Sequence, residues 1–239
     1  MRALILAAGR GERMRPLTDS VPKPLLAVGG KPLIVWHLER LAAAGIRDVV
    51  INLAWLGERI EAALGEGRRW GVRIAYSHEG EALETAGGIA RALPLLTADG
   101  SDPAPFLVIS GDTWSDFDYG RARTIALQMQ VARARCWCVM VANPSHHGGG
   151  DFRLDGGRLR LASDTAGALT YAGIGLYAPA GFAQLDPDRK AALRPWLEEA
   201  IADEAALGEF HGGAWHDIGT VQRLESLDRS LQAQKPTGQ

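Results

Sequence analysis

Cysteine is scarce in this chain of 239 residues: only Cys136 and Cys138 occur, within Cys-Trp-Cys. Two apart on a strand they point the same way, so bridging them would be strained and a disulfide framework is excluded. No second cysteine pair and no histidine at metal spacing accompany them, so both read as small buried apolar residues, suited to a reducing cytoplasm. Apolar runs long enough to span a membrane are also missing. The N-terminus opens directly on a strand, without the cationic leader and apolar segment of a secretory signal. Charge of one sign is lacking too. The formal net charge of −2 argues against a protein that binds nucleic acid through bulk electrostatics. No internal repeat, low-complexity linker or hexapeptide β-helix repeat is visible, so an appended acyltransferase module is not expected. With 46% hydrophobic and 23% charged residues, the chain is expected to fold as one α/β domain over residues 1–239.

Strand and helix patterns alternate along the first half. Met1–Leu6, Asp48–Asn52, Val72–Tyr76 and Phe106–Ser110 read as strands, and Leu33–Ala44, Trp55–Leu64 and Glu84–Leu93 as helices, with Gly45 and Gly65 as stops. This alternation predicts a doubly wound, mostly parallel sheet in a three-layer, Rossmann-like arrangement. Farther on, Cys136–Val141 and Ala172–Tyr177 read as strands and 151–161 as a hairpin turning at Asp155-Gly156-Gly157. Arg189–Ala206 and Val221–Gln234 read as helices. Trp36, Trp55, Trp70, Trp137 and Trp196 are expected to pack in or beside the core.

The densest chemistry lies at the start. The first strand empties into Ala7-Ala8-Gly9-Arg10-Gly11-Glu12-Arg13-Met14, followed by Val21-Pro22-Lys23-Pro24-Leu25. Glycines at a strand end let bare amides approach an anion, and Arg13, Arg15 and Lys23 add charge that can follow a phosphate. A dinucleotide fingerprint would need glycine where Met14 stands, and a P-loop would need Gly-Lys-Ser or Gly-Lys-Thr. The whole string instead resembles the signature of the sugar-1-phosphate nucleotidyltransferases. That resemblance implies a nucleotide site made by Ala8, Gly9, Gly11, Glu12, Arg13 and Lys23, with Arg13 and Lys23 also catalytic.

Two carboxylates stand at strand ends: Asp112 in Ser-Gly-Asp-Thr, and Asp217 in Trp-His-Asp-Ile-Gly-Thr. Open α/β sheets bind ligands at such edges, and Mg²⁺ on a triphosphate takes one or two carboxylates. Each aspartate alone would more often be a cap or turn former; together they look like the metal-binding aspartates of the same family, with Gly111 beside the nucleotide. Glu84-Thr85-Ala86-Gly87-Gly88 sits at a helix start, Thr85 being a candidate N-cap. It resembles the family's base-reading loop, which assigns Glu84 and Gly87 to the nucleotide. Glu84 could accept from uracil N3–H or equally from guanine N1–H and N2–H.

Asn143-Pro-Ser-His146-His147-Gly-Gly-Gly-Asp151-Phe152 is unusual. Adjacent histidines on an extended chain point apart, so one ion taking both is disfavoured, and a loop that hydrogen-bonds a polar ligand fits better. Together with Ile51-Asn-Leu-Ala-Trp-Leu-Gly-Glu58 and Glu79-Gly-Glu-Ala-Leu-Glu-Thr85, this string looks most like the family branch that uridylylates N-acetylmuramate 1-phosphate in bacterial cell-wall recycling. It departs from that branch near 98–105 and in Thr124–Arg135, both expected to be surface elaborations. The resemblance implies UTP and a sugar 1-phosphate as substrates, Mg²⁺ as cofactor, and Asn52, Asn143, His146, His147 and Asp151 around the sugar. Transfer of guanylyl or thymidylyl to mannose or glucose 1-phosphate remains open, as does a non-catalytic nucleotide sensor. Retention of Arg13, Lys23, Asp112 and Asp217 together speaks against the sensor.

Overall fold

Residues 2–6 form a strand buried on both faces: Ala3 and Ile5 join one layer of apolar side chains and Leu4 the other. A near-continuous apolar run is what a central parallel strand requires. In the computed structural model, which describes residues 1–97, 104–162 and 165–233, this strand (β1, Arg2–Leu6) lies inside a nine-stranded sheet. The elements of the first half are α1 (Leu17–Ser20), β2 (Ala27–Val28), β3 (Lys31–Pro32), α2 (Leu33–Ala43), β4 (Asp48–Leu53), α3 (Gly57–Leu64), β5 (Arg73–His78), α4 (Glu84–Leu96), β6 (Phe106–Ser110) and β7 (Thr113–Ser115). There follow α5 (Ala122–Ala132), β8 (Cys136–Val141), β9 (Phe152–Asp155), β10 (Arg158–Leu161), β11 (Thr170–Tyr177), α6 (Leu193–Ala202), β12 (Ala206–Phe210), β13 (Trp215–Asp217) and α7 (Val221–Ala233).

The strand order is β5-β4-β1-β6-β11-β8-β12-β10-β9. The β5-β4-β1-β6 half is wholly parallel. Across the sheet only β10 and β11 run against the common direction. Helices α2, α3 and α5 cover one face through Ile34, Leu38, Ile60 and Ile125, and α4 and α6 the other through Ile89, Trp196 and Leu197. The expected three-layer α/β arrangement is therefore present. A third cluster joins α7 (Leu224, Leu227, Leu231) to Met14, Val28, Trp114 and Ile218, under the glycine loop.

Two expectations change, and one strand pairing is new. Residues 124–135 are not a surface elaboration: α5 seats Ile125, Ala126 and Met129 in the core. Truncating a buried Ile125 to alanine would cost about 3 kcal/mol. The helix expected over Arg189–Ala206 is confined to Leu193–Ala202, and Ala206–Phe210 becomes a strand parallel to β8. Thr113–Ser115 and Trp215–Asp217 also pair as a small antiparallel ribbon that was not anticipated. Of the segment 98–105, residues 98–103 lie outside the described residues. The 151–161 hairpin forms as expected, with Gly156 and Gly157 at φ 54° and 81° in its two-residue turn. Cys136 and Cys138 are free and buried, and their mutual hydrogen bond and burial push the Cys136 thiol up.

Candidate active site

The parallel strands β1, β4 and β6 deliver Leu6, Asn52 and Ser110 to one edge of the sheet. Beyond Leu6 the chain turns through Gly11, whose φ of 68° favours glycine. Met14 N–H and Thr18 Oγ1 both donate to the Gly11 carbonyl at 2.9 Å, which fixes the loop. At Gly9 a Cβ would meet nothing within 4 Å, so the absent side chain opens clearance rather than relieving a clash inside the protein. Ala8, Gly9, Gly11 and Lys23 line one side of a cavity of about 310 Å³, with Asn52, Glu79, Glu84 and Thr85 opposite. Lys23 is buried, and its ammonium donates to Asp112 Oδ2 at 2.6 Å.

The far wall is built around Glu79. Its Oε1 accepts from Asn52 Nδ2 at 2.6 Å and its Oε2 from Leu83 N–H at 2.8 Å. Burial pushes the Glu79 carboxyl above its ordinary range, and these two hydrogen bonds oppose the shift. Glu84 opens α4 at φ 61°, a left-handed conformation that is uncommon for a non-glycine residue and is found where the surroundings impose it.

Asp112 and Asp217 meet across the small ribbon. Ile218 N–H donates to the Asp112 carbonyl at 2.9 Å, and Asp217 pairs with Thr113. Both carboxylates line a second cavity of about 740 Å³, along with Arg13, His146, His147, Asp151, Tyr171 and Arg194. This space shares Leu6, Glu84, Thr85, Ser110 and Asp112 with the smaller one. Asp217 Oδ2 accepts from Arg223 Nη1 at 2.8 Å and faces His146 Nε2 at 3.1 Å. Asp151 holds the opposite rim, with Oδ1 at 3.1 Å from His147 Nε2 and Oδ2 accepting from Tyr171 N–H at 2.8 Å. Behind the ribbon, buried His37 donates Nε2–H to the Thr113 carbonyl at 2.8 Å and accepts at Nδ1 from Tyr119 OH at 3.0 Å. Burial and nearby Arg40 lower its pKa to about 4 against the opposing pull of that carbonyl and Asp112.

Residues 2–234 match the nucleotidyl transferase family. The chain belongs to that family. It is 48% identical over 228 residues to an N-acetylmuramate alpha-1-phosphate uridylyltransferase of Neisseria meningitidis serogroup B, covering 94% of this chain and 96% of the relative. It is 32% identical to the mannose-1-phosphate guanylyltransferase catalytic subunit beta of Danio rerio, over 92% of this chain and 61% of that protein. A solved structure assigned as a glucose-1-phosphate thymidylyltransferase of Bacillus anthracis superposes with a TM-score of 0.83 at 20% identity, covering 100% of this chain and 98% of that one, and speaks to the fold alone.

In this nucleotidyl transferase most of the expected site residues converge, but several do other work. Glu12 and Arg13 line a shallow space of about 360 Å³ with Gly11, Lys23, Asp112 and Gly219, continuous with the glycine loop. Asn52, expected against the sugar, joins the two sides of the smaller cavity instead, accepting from Ala7 N–H at 2.6 Å and donating to Glu79. Asn143 is held inside its loop: it donates to the Ala168 and Gly148 carbonyls and accepts from Thr170 Oγ1 at 2.9 Å. Gly87 lines neither cavity; its N–H and that of Ala86 donate to the Ala191 carbonyl, fastening α4 to the segment before α6. Gly111 likewise lies behind the wall, its N–H bonded to the Leu6 carbonyl at 2.9 Å. Thr85 does not cap α4, where Leu83 holds the cap position. Arg223 was not anticipated. A cation one helical turn beyond Gly219-Thr220 was the available signal: a methyl at Gly219 would fall on the Arg223 guanidinium and 3.0 Å from that of Arg13.

Proposed function

We propose that this nucleotidyl transferase moves a uridylyl group from UTP to N-acetylmuramate 1-phosphate, releasing pyrophosphate. The observation that carries the reading is the 48% identity to the N-acetylmuramate alpha-1-phosphate uridylyltransferase, which runs through nearly the full length of both chains. The two adjoining cavities suit the two substrates. The smaller takes the nucleotide against the glycine loop, and the larger takes the sugar, with Asp112 on the wall they share.

The acceptor phosphate oxygen attacks the α-phosphorus in line and pyrophosphate departs, without a covalent enzyme intermediate. Catalysis is then positioning together with charge stabilisation. Arg13 receives the departing pyrophosphate, and Lys23 follows the charge growing on the transferred group. Asp112 and Asp217 fit Mg²⁺: they are hard oxygen donors on one cavity wall, Asp217 on β13 and Asp112 in the turn just before its partner strand β7, and among the described residues no third carboxylate, histidine or cysteine completes a cage. A pair of carboxylates with phosphate oxygens and water is how Mg²⁺ is usually held beside a nucleotide. Bound there, the ion would supply charge neutralisation between triphosphate and acceptor phosphate.

The acceptor's lactyl carboxylate falls to the 144–151 loop. His146, His147 and Asp151 of this loop line the larger cavity, and Gly148 and Gly149 beside them have nothing within 4 Å of where a Cβ would stand, so the loop is uncrowded. Pyrophosphate release with five nucleoside triphosphates and a panel of sugar 1-phosphates tests the assignment. UTP with N-acetylmuramate 1-phosphate should give the highest kcat/KM, by roughly a hundredfold over N-acetylglucosamine 1-phosphate. Better turnover of mannose 1-phosphate with GTP would replace the substrate assignment. Nucleotide binding without turnover of any acceptor would make the protein a sensor.

A further inference from the structure

The string Asn52-Leu53-Ala54-Trp55-Leu56-Gly57-Glu58 carries part of the family likeness, yet Trp55 lines neither substrate cavity. Its surroundings connect it to the glycine loop at every stage. Trp55 N–H points at the Ala8 carbonyl at 3.5 Å, where the loop begins. At the tip, the Arg10 guanidinium lies over the indole, 4.4 Å from the ring centroid. On the far side, indole Nε1–H donates to the Thr18 carbonyl at 2.9 Å, and Thr18 in turn holds Gly11. Arg59, in the first turn of α3, donates to the Ser20 carbonyl. The turn between β4 and α3 takes Leu56 to φ 52°, a left-handed conformation for a leucine.

The structure assigns Trp55 the role of positioning residue for the phosphate-binding loop. A tryptophan that merely filled space would need neither the exposed Arg10 on its face nor its indole N–H on the carbonyl of Thr18 in α1. Gly9 and Gly11 flank Arg10 and are the most permissive residues of the loop. Docking Arg10 on the ring fixes the residue between them, and the bond to Thr18 fixes the return of the chain. The amides between are thereby aimed before any ligand arrives, which reduces the ordering cost of binding. Trp55 touches neither substrate and acts through Ala8, Arg10 and Thr18.

This inference rests on the reading of the loop as a triphosphate site, so its test uses phosphate ligands common to every nucleotide. Trp55→Leu should raise KM for UTP and the inhibition constant of pyrophosphate together, by about tenfold. Over the same comparison, KM for the sugar phosphate should move less than about twofold. Trp55→Phe, which keeps a ring for Arg10 and loses the indole N–H, should fall between wild type and Trp55→Leu. Arg10→Met should weaken pyrophosphate about threefold in the wild-type background and add nothing after Trp55→Leu, the non-additivity expected of coupled neighbours. Equal rises in both KM values, or strict additivity, would overturn the assignment. Should Trp55→Leu not fold, Trp55→Phe and Arg10→Met are read singly: each should weaken pyrophosphate while KM for the sugar phosphate stays unmoved, and no change in either would overturn the assignment. Wild type that fails to bind UTP would remove the functional reading and this one with it; unchanged pyrophosphate binding in the variants would remove this one alone.

Discussion

The two walls of the site are made in different ways. The wall proposed for the nucleotide is built mainly on β1 and the loop after it, so Leu6, Gly9, Gly11 and Lys23 are close in both sequence and space, and Asn52 joins them through the pairing of β4 with β1. The acceptor wall is gathered from distant segments: His146 and Asp151 from one loop, Tyr171 from β11, Asp217 from β13 and Arg223 from α7. One is a motif and the other is an assembly. Asp112 stands where they meet, tied to Lys23 on one side and bonded through its backbone to Ile218 on the other.

If both walls converge on one metal–phosphate centre, damage at the junction should exceed damage to either wall. Asp112→Asn and Asp217→Asn should each lower kcat by about a thousandfold, roughly 4 kcal/mol, with the far-ultraviolet circular dichroism of wild type retained. Normal turnover with unchanged Mg²⁺ dependence in either variant would separate the walls and break the comparison.

The support behind the junction should fail next, and in acid. His37 titrates near 4 in the fold against 6.5 when exposed, so between those values the unfolded chain binds the extra proton. Its contribution is whole above pH 6.5 and is lost as the pH falls toward 4, a change of about 3 kcal/mol. Chemical denaturation of wild type and His37→Gln across that window should show a shallower loss in the variant. Parallel curves would show that His37 does not couple the ribbon to pH.

Within the nucleotide wall, Lys23→Ala should reduce kcat by about a hundredfold, more than it raises KM for UTP, because charge on the transferred group grows toward the transition state. A rise in KM alone would make Lys23 a ground-state contact. The smallest effect belongs to the acceptor wall. Replacing both His146 and His147 by alanine should shrink the preference for N-acetylmuramate 1-phosphate over N-acetylglucosamine 1-phosphate by about tenfold, with UTP binding kept. Calorimetric titration of UTP alongside steady-state kinetics distinguishes the walls.

The same contrast explains what was readable beforehand. Apolar runs and glycine stops located β1, β4, β6 and their helices because each element is dictated by neighbours a few residues away. Ala206–Phe210 does not announce itself beyond the helix expected to end at Ala206, because a short strand containing Gly208 owes its state to pairing with β8. The misreading of 124–135 was avoidable: Ala122, Ile125, Ala126 and Met129 already follow the spacing of a buried helical face. Asn52 and Asn143 show the limit of motif reasoning. An asparagine at a strand end looks like a ligand, but a folded chain also needs its buried polar groups satisfied, and these amides do that for Ala7, Glu79, Ala168 and Thr170. Arg223 had only a weak local signal, a cation one helical turn beyond Gly219-Thr220; its bond to Asp217 depends on α7 passing beside β13.

The pairing of β7 with β13 also has a meaning in time. During synthesis the N-terminal half can lay down its parallel strands and its glycine loop as soon as they emerge. Asp112 then has its strand but no partner ribbon, and Met14 and Trp114 lack the leucines of α7 that cover them. The segment from Trp215 onward thus brings Asp217 to Asp112 and cover to the glycine loop in one piece.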